Sequence, residues 1–234
     1  MARLRLTLAC GDYDRTRSLQ DGSVRPDGIE LTCLPLPVEE TFFRMIRHRE
    51  FEVAELSLSS YVHSLQADPP PFVALPVFVS RMFRHGSIFI NAEAGIATPE
   101  DLCGKEVGAP EYQLTAGVWI RGILADYHRV PVDSVTYRTG GQERPGRIEK
   151  AWLNLPDRIR IEPIGREQTL SQMLASGEID ALYTPRIPRP FAQGDPRVER
   201  LFPDVIAAEK AYFGASGIFP IMHVVVVRRD IYQA

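Results

Sequence analysis

The pattern of hydrophobic and polar positions changes period several times along the chain. Residues 4–10 (LRLTLAC) alternate as a half-buried strand does, and the alternation stops at Gly11. A Pro-Asp-Gly turn then leads into a second predicted strand, Ile29–Leu34. The segment PVEETFFRMIRHREF predicts a helix, whose apolar side is formed by Phe42, Phe43, Ile46 and Phe51.

Strands and helices continue to alternate in the second half of the chain. KEVGAP predicts a strand, Glu106–Ala109, and TLSQMLASGEIDALYT predicts a helix ended by Gly177 and a strand, Ile179–Tyr183. A long buried strand is predicted at Met222–Val227. Residues 140–164 are the least regular stretch and predict a surface hairpin or loop. The strongest helix follows GAPEYQLT, and its apolar face comprises Ala116, Trp119, Ile120, Ile123, Leu124 and Tyr127.

Strands separated by helices predict an α/β fold in which mostly parallel sheets are flanked by helices. Two apolar runs, HGSIFIN and MHVVVVRRD, bracket a self-contained series of helices and strands. We therefore expect two lobes joined by these two crossing strands. Residues 1–88 and 222–234 would form the first lobe, and residues 89–221 would form the second.

Composition and charge exclude several classes of function. The chain has 234 residues, 44% of them hydrophobic, which is enough to bury a substantial core. Its formal net charge of −3 gives no basic face for nucleic acid, and no apolar run is long enough to cross a membrane. The apolar run before Cys10 is too short for a secretory leader, and three cysteines without paired spacing suggest reduced thiols. We expect a cytoplasmic protein.

Polar residues follow four of the predicted strands, at the edge where open α/β sheets bind ligands. Each cluster is also compatible with ordinary turn or capping chemistry, and Tyr13 and Tyr112 are also compatible with simple packing. The clusters contain Asp12, Tyr13 and Asp14; Glu55, Ser57, Ser59 and Ser60; Glu111, Tyr112, Gln113 and Thr115; and Arg186.

The segment SRMFRHGSIFIN places Arg81, Arg84 and His85 at the start of a buried strand, and His223 lies in the second crossing strand. A solvated loop is the simpler interpretation of two arginines. Together with the clusters at the strand ends, however, these residues suit a small aromatic anion, held by guanidiniums and by amides at a helix start.

Several familiar motifs are absent from the sequence. No Gly-rich dinucleotide or phosphate loop follows a strand, and no Gly-x-Ser-x-Gly elbow is present. The five histidines show no i,i+4 pairing, so nothing in the sequence argues for a metal, although ligands from separate loops could still form a site.

Six segments of the sequence together resemble the 4,5-dihydroxyphthalate decarboxylase family. They are LACGDYDRTRSLQDG, ELSLSSY, PVFVSRMFRHGSIFIN, GAPEYQLTAGVW, SGEIDALYTPRIP and GIFPIMHVV. The resemblance implies a type II periplasmic binding protein-like fold with the ligand between its lobes, and conversion of 4,5-dihydroxyphthalate to protocatechuate. Members continue beyond HVVVVRRD into helices that complete the first lobe. We expect those helices to be missing here, which would expose apolar surface and favour a homo-oligomer.

The resemblance implies a catalytic or binding role for several of the candidate residues. Aromatic decarboxylation requires protonation of a ring carbon, an anchor for the retained carboxylate and a ring hydroxyl that shares charge, so no cofactor is predicted. His85, or else His223, would supply the proton, and Arg81 and Arg84 would anchor the carboxylates. Glu111 or Asp14 would deprotonate or hold the catechol hydroxyls, which makes Glu111 a third candidate catalytic residue.

Two other functions are compatible with the same residues. A non-catalytic solute-binding protein would use the same cleft for a small aromatic or carboxylate ligand. A ligand-sensing regulatory domain would need an attached DNA-binding module, and this sequence does not contain one.

Overall fold

The chain forms two compact units in the computed structural model, which describes residues 3–150 and 153–234. The first unit comprises Met1–Arg81 and Ile221–Ala234, and the second comprises Met82–Pro220. The expected boundary at residue 88 therefore needs correction, because residues 82–88 belong to the second unit. That segment contains a 3₁₀ turn, His85–Ser87, which packs with the second unit's elements.

The first unit is built on a six-stranded mixed sheet. Its strands are β1 (Leu4–Cys10), β2 (Ile29–Pro35), β3 (Val53–Ser57), β4 (Phe72–Ala74), β5 (Ser80–Arg81) and β12 (Ile221–Arg228). The order is β2-β1-β3-β12-β4, with β5 also paired to β12. β1 runs parallel to β2 and β3, whereas β12 runs antiparallel to its partners. The carboxyl ends of β1 and β3 therefore lie at the same edge of this sheet.

Helices cover this sheet and complete its core. They are α1 (Arg17–Gln20), α2 (Val38–His48), α3 (Leu58–Ser64) and α8 (Arg229–Gln233). α2 buries Phe42 and Met45, but Phe43, which the sequence placed on the apolar side, is 45% exposed. The predicted helix was also too long, because Arg49 adopts a left-handed conformation and Phe51 packs into the core from the segment that follows.

The second unit contains another six-stranded mixed sheet. Its strands are β6 (Ile88–Asn91), β7 (Glu106–Ala109), β8 (Thr136–Thr139), β9 (Arg160–Pro163), β10 (Ala181–Tyr183) and β11 (Val198–Arg200), in the order β11-β6-β10-β7-β8-β9. β7, β8, β9 and β10 pair in parallel, and β6 is antiparallel to β10 and β11. Of the hairpin or loop predicted for residues 140–164, the loop is observed in 140–150 and 153–159, and it leads to β9, which is parallel to β8 and so forms no hairpin with it. Residues 151 and 152 of that stretch lie outside the described residues.

The helices of the second unit are α4 (Thr115–His128), α5 (Leu170–Ser176), α6 (Arg189–Ala192) and α7 (Val205–Ser216). The apolar side of α4 is buried at Ala116, Ile120, Ile123 and Leu124, but Tyr127 is 43% exposed. Gly177 adopts the left-handed conformation that ends α5, as the sequence predicted. In the parts of the chain described here, no helix is both long and apolar enough to span a bilayer.

Candidate active site

A buried glutamate lies at the centre of the carboxyl edge of the first sheet. Alternate residues of β3 point to opposite faces, so Ala54 and Leu56 pack into one apolar cluster while Val53 lies in another, on the other side. Glu55 shares the face of Val53, and none of its surface is exposed. A carboxylate in this position must be satisfied by donors from the protein.

Four donors converge on the Glu55 carboxylate. Tyr13 donates its hydroxyl to Oε1 at 2.7 Å, and His223 Nδ1 lies 2.6 Å from the same oxygen. The backbone N–H of Gly11 donates to Oε2 at 2.8 Å, and the Cys10 thiol lies 3.4 Å from it. Glu55 therefore connects the end of β1 to a histidine on β12.

The hydrogen bonds determine the charge state of this cluster. Burial alone would raise the pKa of Glu55, but donation from His223, Gly11 and Tyr13 outweighs burial and holds the pKa below its usual value. Burial and the neighbouring Glu55 raise the pKa of Cys10 to about 12 and also raise the pKa of Tyr13. Near neutral pH the cluster therefore contains one carboxylate, one neutral phenol and one neutral thiol.

The carboxylate orients the imidazole of His223. Because an ionised carboxylate only accepts hydrogen bonds, Nδ1 must carry the proton that it shares with Glu55. The ring meets Phe42 edge-on, with 4.8 Å between centroids, and 18% of the His223 side chain is exposed. Nε2 is then the nitrogen that can exchange a proton with a ligand. A buried carboxylate behind an accessible imidazole is the arrangement used for general acid and base catalysis.

The other predicted residues of the first unit lie around this edge, but they do not form a single hydrogen-bonded cluster. Asp12 and Asp14 are exposed, and Asp14 accepts hydrogen bonds from the backbone and side chain of Arg15. Ser57 is buried opposite His223 on the neighbouring strand, and its hydroxyl lies 3.2 Å from that of Ser59.

Arg81, Arg84 and His85 do not form one group within a unit. Arg81 is an exposed residue of β5 at the end of the first unit's first segment, and its guanidinium carbon lies 5.2 Å from the ring centroid of Phe78. Arg84 belongs to the second unit and is 7% exposed. Burial lowers its pKa to about 10, against the opposing effect of Glu209, so it remains cationic at neutral pH.

His85 is enclosed by aromatic rings in the second unit. The centroids of Phe202, Tyr212 and His128 lie 5.2, 5.3 and 6.5 Å from its own, and only 1% of the residue is exposed. Neither ring nitrogen has a hydrogen-bond partner among the described residues. Burial, with a smaller effect of His128, lowers its pKa to about 4. His85 is thus neutral across the physiological range, which favours a packing role.

Glu111 follows β7 in the second unit and is fully engaged with two cations. Arg147 Nε and Lys150 Nζ donate to its Oε1 at 2.7 and 2.9 Å, and Gln113 Nε2 lies 3.5 Å from its Oε2. Glu111 is only 1% exposed. These contacts make it an anchor for the 147–150 segment, and they leave it poorly placed to act as a free base.

The residues after Glu111 begin α4 and are largely buried. Tyr112 packs edge-on against Tyr137 at 5.0 Å between centroids, so simple packing, the alternative weighed from the sequence, describes its side chain. Its backbone N–H donates to Glu149, and its carbonyl accepts from Arg121 Nη2 at 2.7 Å. Gln113 and Thr115 are buried at the helix start, and Arg186 is exposed after β10.

Two important partners were missed from the sequence. Glu55 was noted only as part of a polar cluster, although a glutamate inside the apolar run FEVAELS signals a buried charge with a partner. Arg147 lay in the stretch interpreted as an irregular loop. No group of three or more His, Cys, Asp or Glu that could hold a metal ion is found within residues 3–150 and 153–234.

Comparison with solved structures identifies the class of fold. The chain superposes on the periplasmic aliphatic sulphonate-binding protein SsuA of Escherichia coli with a TM-score of 0.52, covering 98% of this chain and 67% of that one. Sequence identity is 11%, so the likeness shows the fold alone. The predicted α/β, periplasmic binding protein-like fold is confirmed, and both of its sheets are mixed.

Comparison with characterised proteins identifies the family. A 4,5-dihydroxyphthalate decarboxylase of Comamonas testosteroni is 42% identical over 233 residues, covering 100% of this chain and 71% of the relative. A protein of the same name from Pseudomonas putida is 45% identical over 215 residues, covering 92% of this chain and 83% of the relative. No family model matches. The chain belongs to the 4,5-dihydroxyphthalate decarboxylase family.

Proposed function

We propose that this chain catalyses the decarboxylation of 4,5-dihydroxyphthalate to protocatechuate, with His223 as the proton donor and Glu55 as the residue that positions it. Membership of the family supports the reaction. The observation that carries the proposed site is the 2.6 Å contact between His223 Nδ1 and a carboxylate that is buried and ionised.

The reaction replaces one carboxylate with one proton and needs no oxidant or reductant. His223 Nε2 delivers a proton to the ring carbon that bears the departing carboxylate. As that carbon takes up the proton, the hydroxyl para to it loses its own proton and donates electron density to the ring, becoming a keto group. The bond to the carboxylate then breaks, carbon dioxide leaves, and its electron pair restores the aromatic ring while the oxygen regains a proton.

The Glu55 carboxylate has two tasks in this proposal. It fixes the tautomer of His223 by accepting from Nδ1, and its negative charge stabilises the ring when Nε2 carries a second proton. Tyr13 and the Gly11 N–H hold Glu55 in place from the end of β1. These residues act through His223, so they are positioning residues.

His223 is preferred to His85 as the acid for a physical reason. His85 is buried with its pKa lowered to about 4, so it would be deprotonated at the pH where the reaction runs. His223 is partly exposed and has an anionic partner. The roles of Arg81 and Arg84 as carboxylate anchors, and of Asp14 as a catechol contact, stay predictions.

The test is to incubate the chain with 4,5-dihydroxyphthalate and follow both carbon dioxide release and the aromatic product, with and without a chelator. We expect equimolar carbon dioxide and protocatechuate. Binding of 4,5-dihydroxyphthalate without turnover would contradict the proposal and favour a solute-binding protein. Loss of turnover in chelator would show that a metal contributes to the reaction.

A further inference from the structure

Arg15 lies directly against Tyr13, the residue that links the end of β1 to the Glu55 carboxylate. Its guanidinium carbon lies 4.0 Å from the centroid of the Tyr13 ring, a separation at which a cation is attracted to an aromatic face. Gly11 approaches the same ring beside its hydroxyl, because a Cβ at that position would lie only 2.8 Å from Tyr13 Cζ. The phenol therefore contacts a cation and a residue without a side chain while its hydroxyl donates to Glu55.

Arg15 is itself fixed by the segment next to His223. Its Nε donates to the carbonyl of Val79 at 2.7 Å, and its Nη2 donates to the same oxygen. Because the guanidinium is planar and rigid, two donors on one acceptor fix its orientation. Val79 precedes Ser80, which pairs with His223 between β5 and β12. Arg15 thus connects Tyr13 to the strand that flanks His223.

The charge of Arg15 acts on the phenol more than on a carboxylate. Its Nη1 lies 3.4 Å from Asp14, but half of the Arg15 side chain and 89% of the Asp14 side chain are exposed, so solvent weakens that ion pair. Burial and Glu55 raise the pKa of Tyr13, and Arg15 opposes that rise. A phenol beside a cation donates a stronger hydrogen bond. Arg15 therefore strengthens the bond from Tyr13 to Glu55.

Tyr13 and His223 share one oxygen of the Glu55 carboxylate. The Tyr13 hydroxyl lies 2.7 Å from Oε1, and His223 Nδ1 lies 2.6 Å from the same atom. Because both groups draw on the negative charge of Oε1, a strong bond from Tyr13 leaves less of that charge to hold a proton on His223. The imidazolium then gives up its proton more readily, as a general acid must.

We propose that Arg15 is a positioning residue of this site, which holds the Tyr13 hydroxyl on Glu55 Oε1 and thereby makes His223 a stronger proton donor. The inference rests on the proposed function, since it concerns the acid of the proposed reaction. Arg15 acts through Tyr13 and Glu55. Without its guanidinium, the ring loses its cation and the link to Val79, and Oε1 is left to His223.

Kinetics of the full chain test the proposal. We expect Arg15→Gln to lower kcat for 4,5-dihydroxyphthalate by about 3- to 30-fold, the rate equivalent of one cation–π contact. Its affinity for phthalate should not change; phthalate keeps both carboxylates but lacks the hydroxyls, so binding is measured without turnover. Arg15→Lys keeps the charge without the two-point hold on Val79, so its kcat should lie between the two. Arg17→Gln, at an exposed arginine of α1, is the matched control and should keep the unmodified kcat.

A double variant shows whether Arg15 acts through Tyr13. Tyr13→Phe combined with Arg15→Gln should be no slower than Tyr13→Phe alone, because the phenol that Arg15 holds is already missing. Losses that multiply in the double variant would overturn the proposal. So would an Arg15→Gln variant that unfolds at lower urea concentration but keeps the unmodified kcat, since Arg15 would then only stabilise the fold.

Proton NMR provides a readout that needs no turnover. The proton between His223 Nδ1 and Glu55 should give a low-field resonance, identified by its loss in His223→Gln. We expect Arg15→Gln and Tyr13→Phe both to move it further to low field, because Oε1 then accepts more strongly from His223. That shift in a chain that releases no carbon dioxide would refute the proposed reaction and leave the connection from Arg15 to His223 standing. Normal decarboxylation with a resonance that Arg15→Gln leaves in place would refute the role of Arg15 alone.

Discussion

Replacing His85 with phenylalanine should make the second unit more resistant to acid. His85 is 1% exposed among aromatic rings, and burial lowers its pKa from 6.5 to about 4. Its nitrogens have no hydrogen-bond partner among the residues described, so an apolar ring gives up no hydrogen bond. Phenylalanine keeps the aromatic packing and removes the titration.

The size of the effect follows from the two pKa values. Because the pKa is lower in the folded state, the unfolded chain binds the proton first as pH falls below 6.5, and folding stability decreases until about pH 4. At pH 5 the unfolded histidine is almost fully protonated and the folded one almost fully neutral. The linkage relation then gives a loss of about 2 kcal/mol between pH 8 and pH 5. His128, whose pKa burial also lowers, adds a smaller loss in the same direction.

Urea unfolding monitored by tryptophan fluorescence at pH 8, 7, 6 and 5 measures this difference. Both tryptophans lie in the sequence range of the second unit, so the signal reports on that unit. Glu55 does not interfere, because the stability that it provides is present above its unfolded pKa and is lost only at lower pH. His48→Asn, at an exposed position, should keep the full pH dependence. If His85→Phe loses as much stability as the unmodified chain between pH 8 and 5, His85 is not the buried neutral group described here.

Two further predictions concern the first sheet and the core of the second unit. Tyr13→Phe removes one hydrogen-bond donor to the ionised Glu55, so the pKa of Glu55 should rise toward its value in the unfolded chain. Circular dichroism melts should show about 1–3 kcal/mol less stability at pH 7, and acid unfolding should begin at a higher pH. An unchanged acid transition would contradict this. Gly108→Ala places a Cβ 2.7 Å from Ile179 Cδ1 and should lower the free energy of unfolding by about 1–3 kcal/mol. Gly122→Ala lies in open space on α4 and should raise it by about 0.5–1 kcal/mol. Equal urea midpoints for the two variants would contradict the packing described.

Local pattern was sufficient to predict many of the elements. The alternating segment Leu4–Cys10 and the strand Glu106–Ala109 have the bounds that the sequence indicated, because residue alternation and flanking turn residues define both strongly. Contacts distant in the chain were not predictable in this way. The order of β12 between β3 and β4, for example, depends on tertiary pairing that no single segment encodes.

The candidate site shows the same limit more clearly. Position at a strand end drew attention to Tyr13, and the second crossing strand to His223, but their common partner, Glu55, is 168 residues from His223 in the sequence. His85 was the preferred acid because its segment was predicted to join the two lobes, where both could reach a bound ligand. The fold instead encloses it among aromatic rings, and only burial reveals the lowered pKa.

The coupling between Glu55 and His223 tests the account's central claim most directly. Turnover of 4,5-dihydroxyphthalate should be measured for His223→Gln, Glu55→Gln and the double variant, alongside phthalate affinity. The account predicts that His223→Gln lowers kcat by about 10²–10⁴ with little change in affinity, and that the double variant is no slower than His223→Gln. A His223→Gln variant that releases carbon dioxide at the unmodified rate would show that the proton comes from elsewhere.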